Sequence, residues 1–145
     1  MRRSDEIPTG RPGDDHEARV HPYAQQGIVT GMLNAWHGVL HVFRHERNAR
    51  AHLIFAALAF IIGLLLKVSN AELAAVFFAV IIVFLAEIFN TAIERALDLI
   101  QPNENAQVKI IKDMSAGAVL LAALAACMVG AAIFLPKIVR LLWGA

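Results

Sequence analysis

Three uninterrupted apolar runs, residues 53–66, 73–86 and 116–136, decide what this chain can fold into. The first two hold fourteen residues each and no polar side chain, and the third holds twenty-one, broken only by glycine and a terminal proline. Lipid offers no hydrogen bonds to the backbone, so runs of this kind cross a membrane as helices. Fourteen helical residues rise only about 21 Å against a hydrocarbon core of ~30 Å, so the first two spans must recruit their flanks. His52 and Lys67 can snorkel at the two ends of the first. Lys67-Val-Ser-Asn70 reads as a short turn. The second run continues as a helix through a polar cluster until Gln101-Pro102-Asn103 breaks it, and a polar loop then runs to Asp113. The expected spans are about 50–67, 71–100 and 113–141.

At 145 residues and 58% hydrophobic, the chain reads as one all-α integral membrane domain over residues 27–145. A net charge of +1 gives no argument for nucleic acid as a partner, and the single Cys127 excludes an internal disulfide. Cys127 lies among alanines and reads as a small packing residue. Residues 1–26 mix Pro8, Gly10, Pro12, Gly13 and Pro22 with charges, and are expected to form a disordered cytoplasmic tail. No apolar segment follows Arg2-Arg3, so a signal peptide is not expected.

Between tail and first span, Ile28, Met32, Ala35, Val39 and Val42 recur at helical spacing, with Asn34, His37, His41 and His45 between them. This predicts an amphipathic interfacial helix over about 27–45, with Trp36 at headgroup level. His37, His41 and His45 share one face and could ligate a metal, but no further ligand accompanies them at a recognisable spacing. The polar side of a surface helix accounts for them as well.

Three spans put the termini on opposite sides. Seven arginines precede residue 51, and Arg95, Lys109 and Lys112 fall on the same side, against Lys67, Lys137 and Arg140. The N-terminus and the 101–113 loop are therefore expected in the cytoplasm, at a cell (inner) membrane. Glu46, Glu87, Glu94, Asp98, Lys112 and Asp113 then gather at the cytoplasmic boundary, although they come from three segments.

The centre of this set is a stripe. Glu87, Asn90, Thr91, Glu94 and Asp98 stand at i, i+3, i+4, i+7 and i+11 and so share one side of a helix, with apolar residues over much of the rest. Ionisable residues beside a membrane helix suggest a functional site. Carboxylates with an amide suit Mg²⁺ held together with substrate phosphates, and Lys112 adds a point charge for a phosphate near the expected start of the third span. Such a set suggests phosphoryl transfer to a lipid hydroxyl. Glu87 lies nearest to a membrane-held alcohol and suits a general base. Glu94 lies two turns nearer the cytoplasm, and Glu46 joins it only if the bundle brings the segments together. There is no G-x-x-x-x-G-K-[ST], H-R-D or D-F-G, so any kinase here is unconventional. The residues leave two other readings open: a scaffold whose charges only pair to fix topology, and an ion-conducting oligomer. The absence of polar residues in 53–66 and 73–86 counts against conduction.

Glu87-x-x-Asn90-Thr-Ala-Ile-Glu94-x-x-x-Asp98, with Lys112-Asp113-Met-x-Ala-Gly-Ala-Val after it and Glu46-Arg-Asn-x-Arg50-x-His52 before it, resembles the small bacterial three-span lipid kinases, the diacylglycerol kinase/undecaprenol kinase family. The resemblance covers about residues 27–141. The motif of residues 46–52, Asn90-Thr-Ala-Ile-Glu-Arg95 and Leu135-Pro-Lys137 look more like the undecaprenol kinase branch, with diacylglycerol as the alternative acceptor. The resemblance implies a homotrimer with shared active sites, ATP as donor and Mg²⁺ as cofactor. It implies Glu87 as base supported by Asn90, Glu46 and Glu94 as ligands of the nucleotide-bound metal, and Lys112 and Asp113 on the nucleotide together with Glu104. Trp36, Asn48, Arg50 and His52 match positions on the lipid side of the site with Glu87. Where the family commonly has Glu-Tyr-His in the cytoplasmic loop, this chain has Asn103-Glu104-Asn105.

Overall fold

The computed structural model describes residues 27–144, and the tail expected over 1–26 lies outside them. Four helices follow one another: α1 (Ile28–His45), α2 (Arg47–Leu65), α3 (Asn70–Ile100) and α4 (Ala106–Trp143). The last three are long and apolar enough to cross a membrane. The described residues fall into two compact units that divide within α1, between Trp36 and His37. In the first unit the helical residues 28–36 expose Ile28, Val29, Met32, Leu33 and Trp36.

In the second unit α3 is the central element, packed along α4 and against α2. Val76 and Val83 of α3 and Ala56 and Gly63 of α2 are buried at these contacts. A Cβ on Gly63 would stand 3.4 Å from Val68, 3.5 Å from Leu73 and 3.8 Å from Phe134. The end of α2 therefore meets the start of α3 and the later part of α4, and the three helices alternate in direction. Most large apolar side chains point outward, among them Phe78, Leu121 and Met128. Water would make such a surface costly at about 25 cal/mol per Å², whereas lipid removes that cost.

The connections are set locally. At the end of α2, Val68 N–H donates to Gly63 O (3.0 Å) and Lys67 N–H to Leu64 O (3.2 Å), with Lys67 at φ 51°. This is a Schellman closure in which lysine occupies the left-handed position usually taken by glycine. Ser69 then opens α3 through a capping box with Glu72: Ser69 N–H donates to Glu72 Oε2 at 2.7 Å, and Glu72 N–H donates to Ser69 Oγ at 3.3 Å.

The third span begins earlier than its apolar pattern predicts. Asn105 Oδ1 accepts from Gln107 N–H (2.8 Å) and Val108 N–H (3.4 Å), so α4 starts at Ala106 and the polar residues to Asp113 are helical rather than loop. The reason is the cap: satisfying the first amides lets a polar segment join the helix it precedes.

Candidate functional site

The stripe on α3 is carried from the core into a polar end of the bundle. Glu87 (3% exposed), Asn90 (8%) and Thr91 (4%) are buried, Glu94 is half-buried and Asp98 is exposed. Helical spacing puts them on one face, and packing against α2 and α4 covers the part nearest the apolar run. Glu87 makes no hydrogen bond or ion pair among the described residues, yet it lies within electrostatic reach of His52, Glu94 and Glu46. Carboxylates from α3 and from the residue preceding α2 thus converge.

Each neighbour is fixed by a specific contact. Asn90 Nδ2 donates to Glu94 Oε1 at 3.1 Å, while Ser115 Oγ donates to Asn90 Oδ1 at 2.6 Å. Arg95 Nη2 donates to Glu46 Oε1 at 2.9 Å, and Arg95 Nη1 donates to His41 Nε2 at 2.6 Å. His41 and His45 stack with ring centroids 4.2 Å apart, and His45 Nδ1 donates to the His41 carbonyl at 2.9 Å. Phe43 meets Phe84 edge-on at 5.0 Å, which fixes this end of α1 against α3. Lys112 Nζ donates to Asp98 Oδ1 at 2.5 Å.

Glu104 and Lys112 line an open polar cleft of about 740 Å³ with Asp98, Lys109 and the 101–106 turn. Asp113 is exposed and does not line it. Asn48 and Arg50 are exposed on the first turn of α2. His52, half-buried, stands at one end of an apolar cavity of about 370 Å³ between α2, α3 and α4, bordered by Ala56, Ala59, Val83, Ala126 and Gly130. Trp36 is 59% exposed in the first unit.

One expectation is corrected. Lys112 does not stand near the start of its helix, because α4 begins at Ala106, where Asn105 caps the amides of Gln107 and Val108. Its side chain reaches the stripe at Asp98 instead. The metal alternative for His37, His41 and His45 meets its own obstacle: His41 Nε2 accepts from Arg95, and among the described residues no three potential ligands gather to hold a metal ion.

Arg95 and Ser115 are contributors that the sequence alone did not single out. Extending the helical register of α4 back to Ala106 would have put Ser115 three residues beyond Lys112 on the same face. Nothing local marks Arg95, whose partners lie 49 and 54 residues away.

The contacts of the carboxylates bear directly on Mg²⁺. Glu46 and Glu94 each commit Oε1 to a neighbour, and among the described residues no contact engages their Oε2 atoms. Among the described residues no three His, Cys, Asp or Glu side chains gather to hold a metal ion. This donor set fits a metal carried in on a nucleotide's phosphates and not a self-contained protein cage.

Comparison with known proteins agrees with this chemistry. Residues 33–134 match the family described as prokaryotic diacylglycerol kinase. The chain is 37% identical over 122 residues to an undecaprenol kinase of Bacillus subtilis, covering 84% of this chain and 99% of that protein. It is 31% identical over 138 residues to a diacylglycerol kinase of Synechocystis sp., covering 94% of this chain and 79% of that one. A three-span apolar bundle, a convergent set of carboxylates at one end and a match over most of its length lead to one conclusion: the chain belongs to the prokaryotic diacylglycerol kinase family of membrane lipid kinases.

Proposed function

We propose that this ATP-dependent lipid kinase phosphorylates undecaprenol, with Glu87 as the general base. The observation that carries the base assignment is a carboxylate 3% exposed, without a hydrogen-bond partner among the described residues, where the apolar run of α3 ends. Buried polar groups are normally paired, so a carboxylate without a partner where the apolar run ends is available for chemistry. A membrane-anchored alcohol presents its hydroxyl at that depth. Glu87 takes the hydroxyl proton as the oxygen bonds to the γ-phosphorus of ATP, the bond to the β-phosphate bridge breaks, and ADP departs with that electron pair.

The remaining residues bind and orient. Glu46 and Glu94 hold Mg·ATP, Asn90 supports Glu94, and Lys112 leaves Asp98 for the phosphates, with Glu104 and Asp113 on the nucleotide. Mg²⁺, when bound, neutralises charge on the transferred phosphoryl group. Asn48, Arg50 and His52 orient the lipid headgroup with Glu87, and Trp36 contributes an aromatic side chain at headgroup level to lipid binding. Lysine and arginine asymmetry supports a cytoplasmic N-terminus and a nucleotide site facing the cytoplasm of a bacterial inner membrane. A homotrimer with sites shared between protomers belongs to the same reading.

Undecaprenol is favoured by the 37% identity to a protein of that activity along nearly its full length. Diacylglycerol is the second acceptor, favoured by the relative at 31%. The test is transfer from radiolabelled ATP by purified protein in mixed micelles offering each lipid separately. Label in undecaprenol at a higher kcat/KM than in diacylglycerol is expected. Label in neither lipid would overturn the reading, and preference for diacylglycerol would reassign the acceptor.

A further inference from the structure

The Ser115 hydroxyl has one proton and two acceptors in reach, Asn90 Oδ1 at 2.6 Å and the Lys112 carbonyl at 2.9 Å. The nearer one is a buried side-chain amide, which can sit in either of two orientations related by a half-turn about its last bond. In one, Nδ2 faces Glu94 and attracts it; in the other, Oδ1 faces a carboxylate and repels it. The Glu94 carboxylate accepts and so selects the first, with Nδ2 meeting Oε1 at 3.1 Å, and Ser115 holds the amide there by donating to Oδ1 at 2.6 Å. The three side chains form a directed chain from α4 to the carboxylate on α3.

We propose that Ser115 is a positioning residue that orients Glu94 through the Asn90 amide. The inference rests on the reading of Glu94 as a carboxylate that receives the nucleotide's metal. Asn90 Nδ2 engages Oε1, which turns Oε2 away from the amide and leaves it for the incoming cation. Lys112 and Ser115 lie three residues apart on α4 and touch the same stripe at Asp98 and Asn90. One helix face therefore registers both the phosphate-binding lysine and the metal-binding carboxylate. Outer partners of metal ligands typically cost 10–100-fold in metal affinity or activity when removed.

The test reads binding as well as turnover. Binding of Mn²⁺ in the presence of a non-hydrolysable ATP analogue, followed by loss of the free-ion paramagnetic signal, is compared among the parent, Ser115→Ala, Ser115→Cys and Ser115→Thr. Cysteine keeps the bulk but donates weakly, so a cavity cannot explain a loss shared with alanine, and threonine restores the donor. Expected are 10–100-fold weaker Mn²⁺ binding in the alanine and cysteine variants, recovery in threonine, a KM for Mg·ATP raised more than kcat is lowered, and thermal midpoints close to the parent. In a Glu94→Gln background, Ser115→Ala should add nothing. Parent-like binding in both the alanine and cysteine variants, or a full additional loss on top of Glu94→Gln, would overturn the proposal. Should the parent phosphorylate neither lipid, the kinase reading falls while the Mn²⁺ cycle still decides whether Ser115 acts on Glu94.

Discussion

Arg95 Nη2 meets Glu46 Oε1 across 2.9 Å, so the residue next to Glu94 on α3 holds the carboxylate that precedes α2. The same guanidinium reaches His41 on α1. One side chain thereby ties three helices together at the polar end of the bundle. The side chains of this pair are 48% and 31% exposed, so its direct contribution to stability is small, about 0.2–1 kcal/mol. Its larger effect is on where Glu46 points. With Glu46 in its proposed metal-binding role, Arg95→Gln should shift the thermal midpoint little but raise the KM for Mg·ATP roughly tenfold, since a misplaced ligand loses most of its advantage. Glu46→Gln should raise the Mg²⁺ requirement in the same way. Titration of activity with Mg²⁺ at saturating lipid checks both, and unchanged metal dependence would remove Glu46 from the site.

Glu87 carries the largest expected effect. A positioned base contributes typically ~10²–10⁴-fold to rate, whereas binding of Mg·ATP does not need it. Glu87→Gln keeps the shape and should lower kcat by that order while leaving nucleotide binding and the fold intact, with a thermal midpoint equal to or above the parent because a buried, unpaired charge is gone. Initial rates and a thermal melt on one preparation decide it. A kcat within about threefold of the parent would place Glu87 among packing residues.

Glu72 is the acidic control at the far end of α3, but it is not idle. It accepts from the Ser69 amide at 2.7 Å and pairs with Lys137 Nζ at 3.0 Å, which links the start of α3 to the end of α4. Glu72→Gln should keep kcat and KM at parental values while lowering the thermal midpoint measurably, and Lys137→Met should do the same. Loss of activity without loss of stability would contradict the assignment of this end as purely structural.

Lys67 stores a small strain. A side chain in the left-handed region costs roughly 1–2 kcal/mol, which glycine avoids at some cost in unfolded-state entropy. Lys67→Gly should raise unfolding stability by less than about 1 kcal/mol, whereas Lys67→Ala, which keeps the Cβ, should not. Thermal unfolding in detergent distinguishes them.

The membrane class, the three spans and the polar stripe on α3 are legible in the chain alone, because each rests on one segment. Apolar length sets a span regardless of what lies beside it, and helical periodicity puts Glu87, Asn90, Glu94 and Asp98 on one face without any partner. The start of α4 escaped the apolar pattern because an asparagine cap, not hydropathy, admits residues 106–113 to the helix. The pairings across helices depend on packing: Arg95 with Glu46 and His41, Ser115 with Asn90, and Lys112 with Asp98. Burial belongs to the same class, since Glu87 and Asn90 are enclosed and Asp98 is not, although all three stand on one stripe. Periodicity specifies a direction around one helix axis. Which neighbour waits in that direction, and at what distance, follows from how three helices pack against each other.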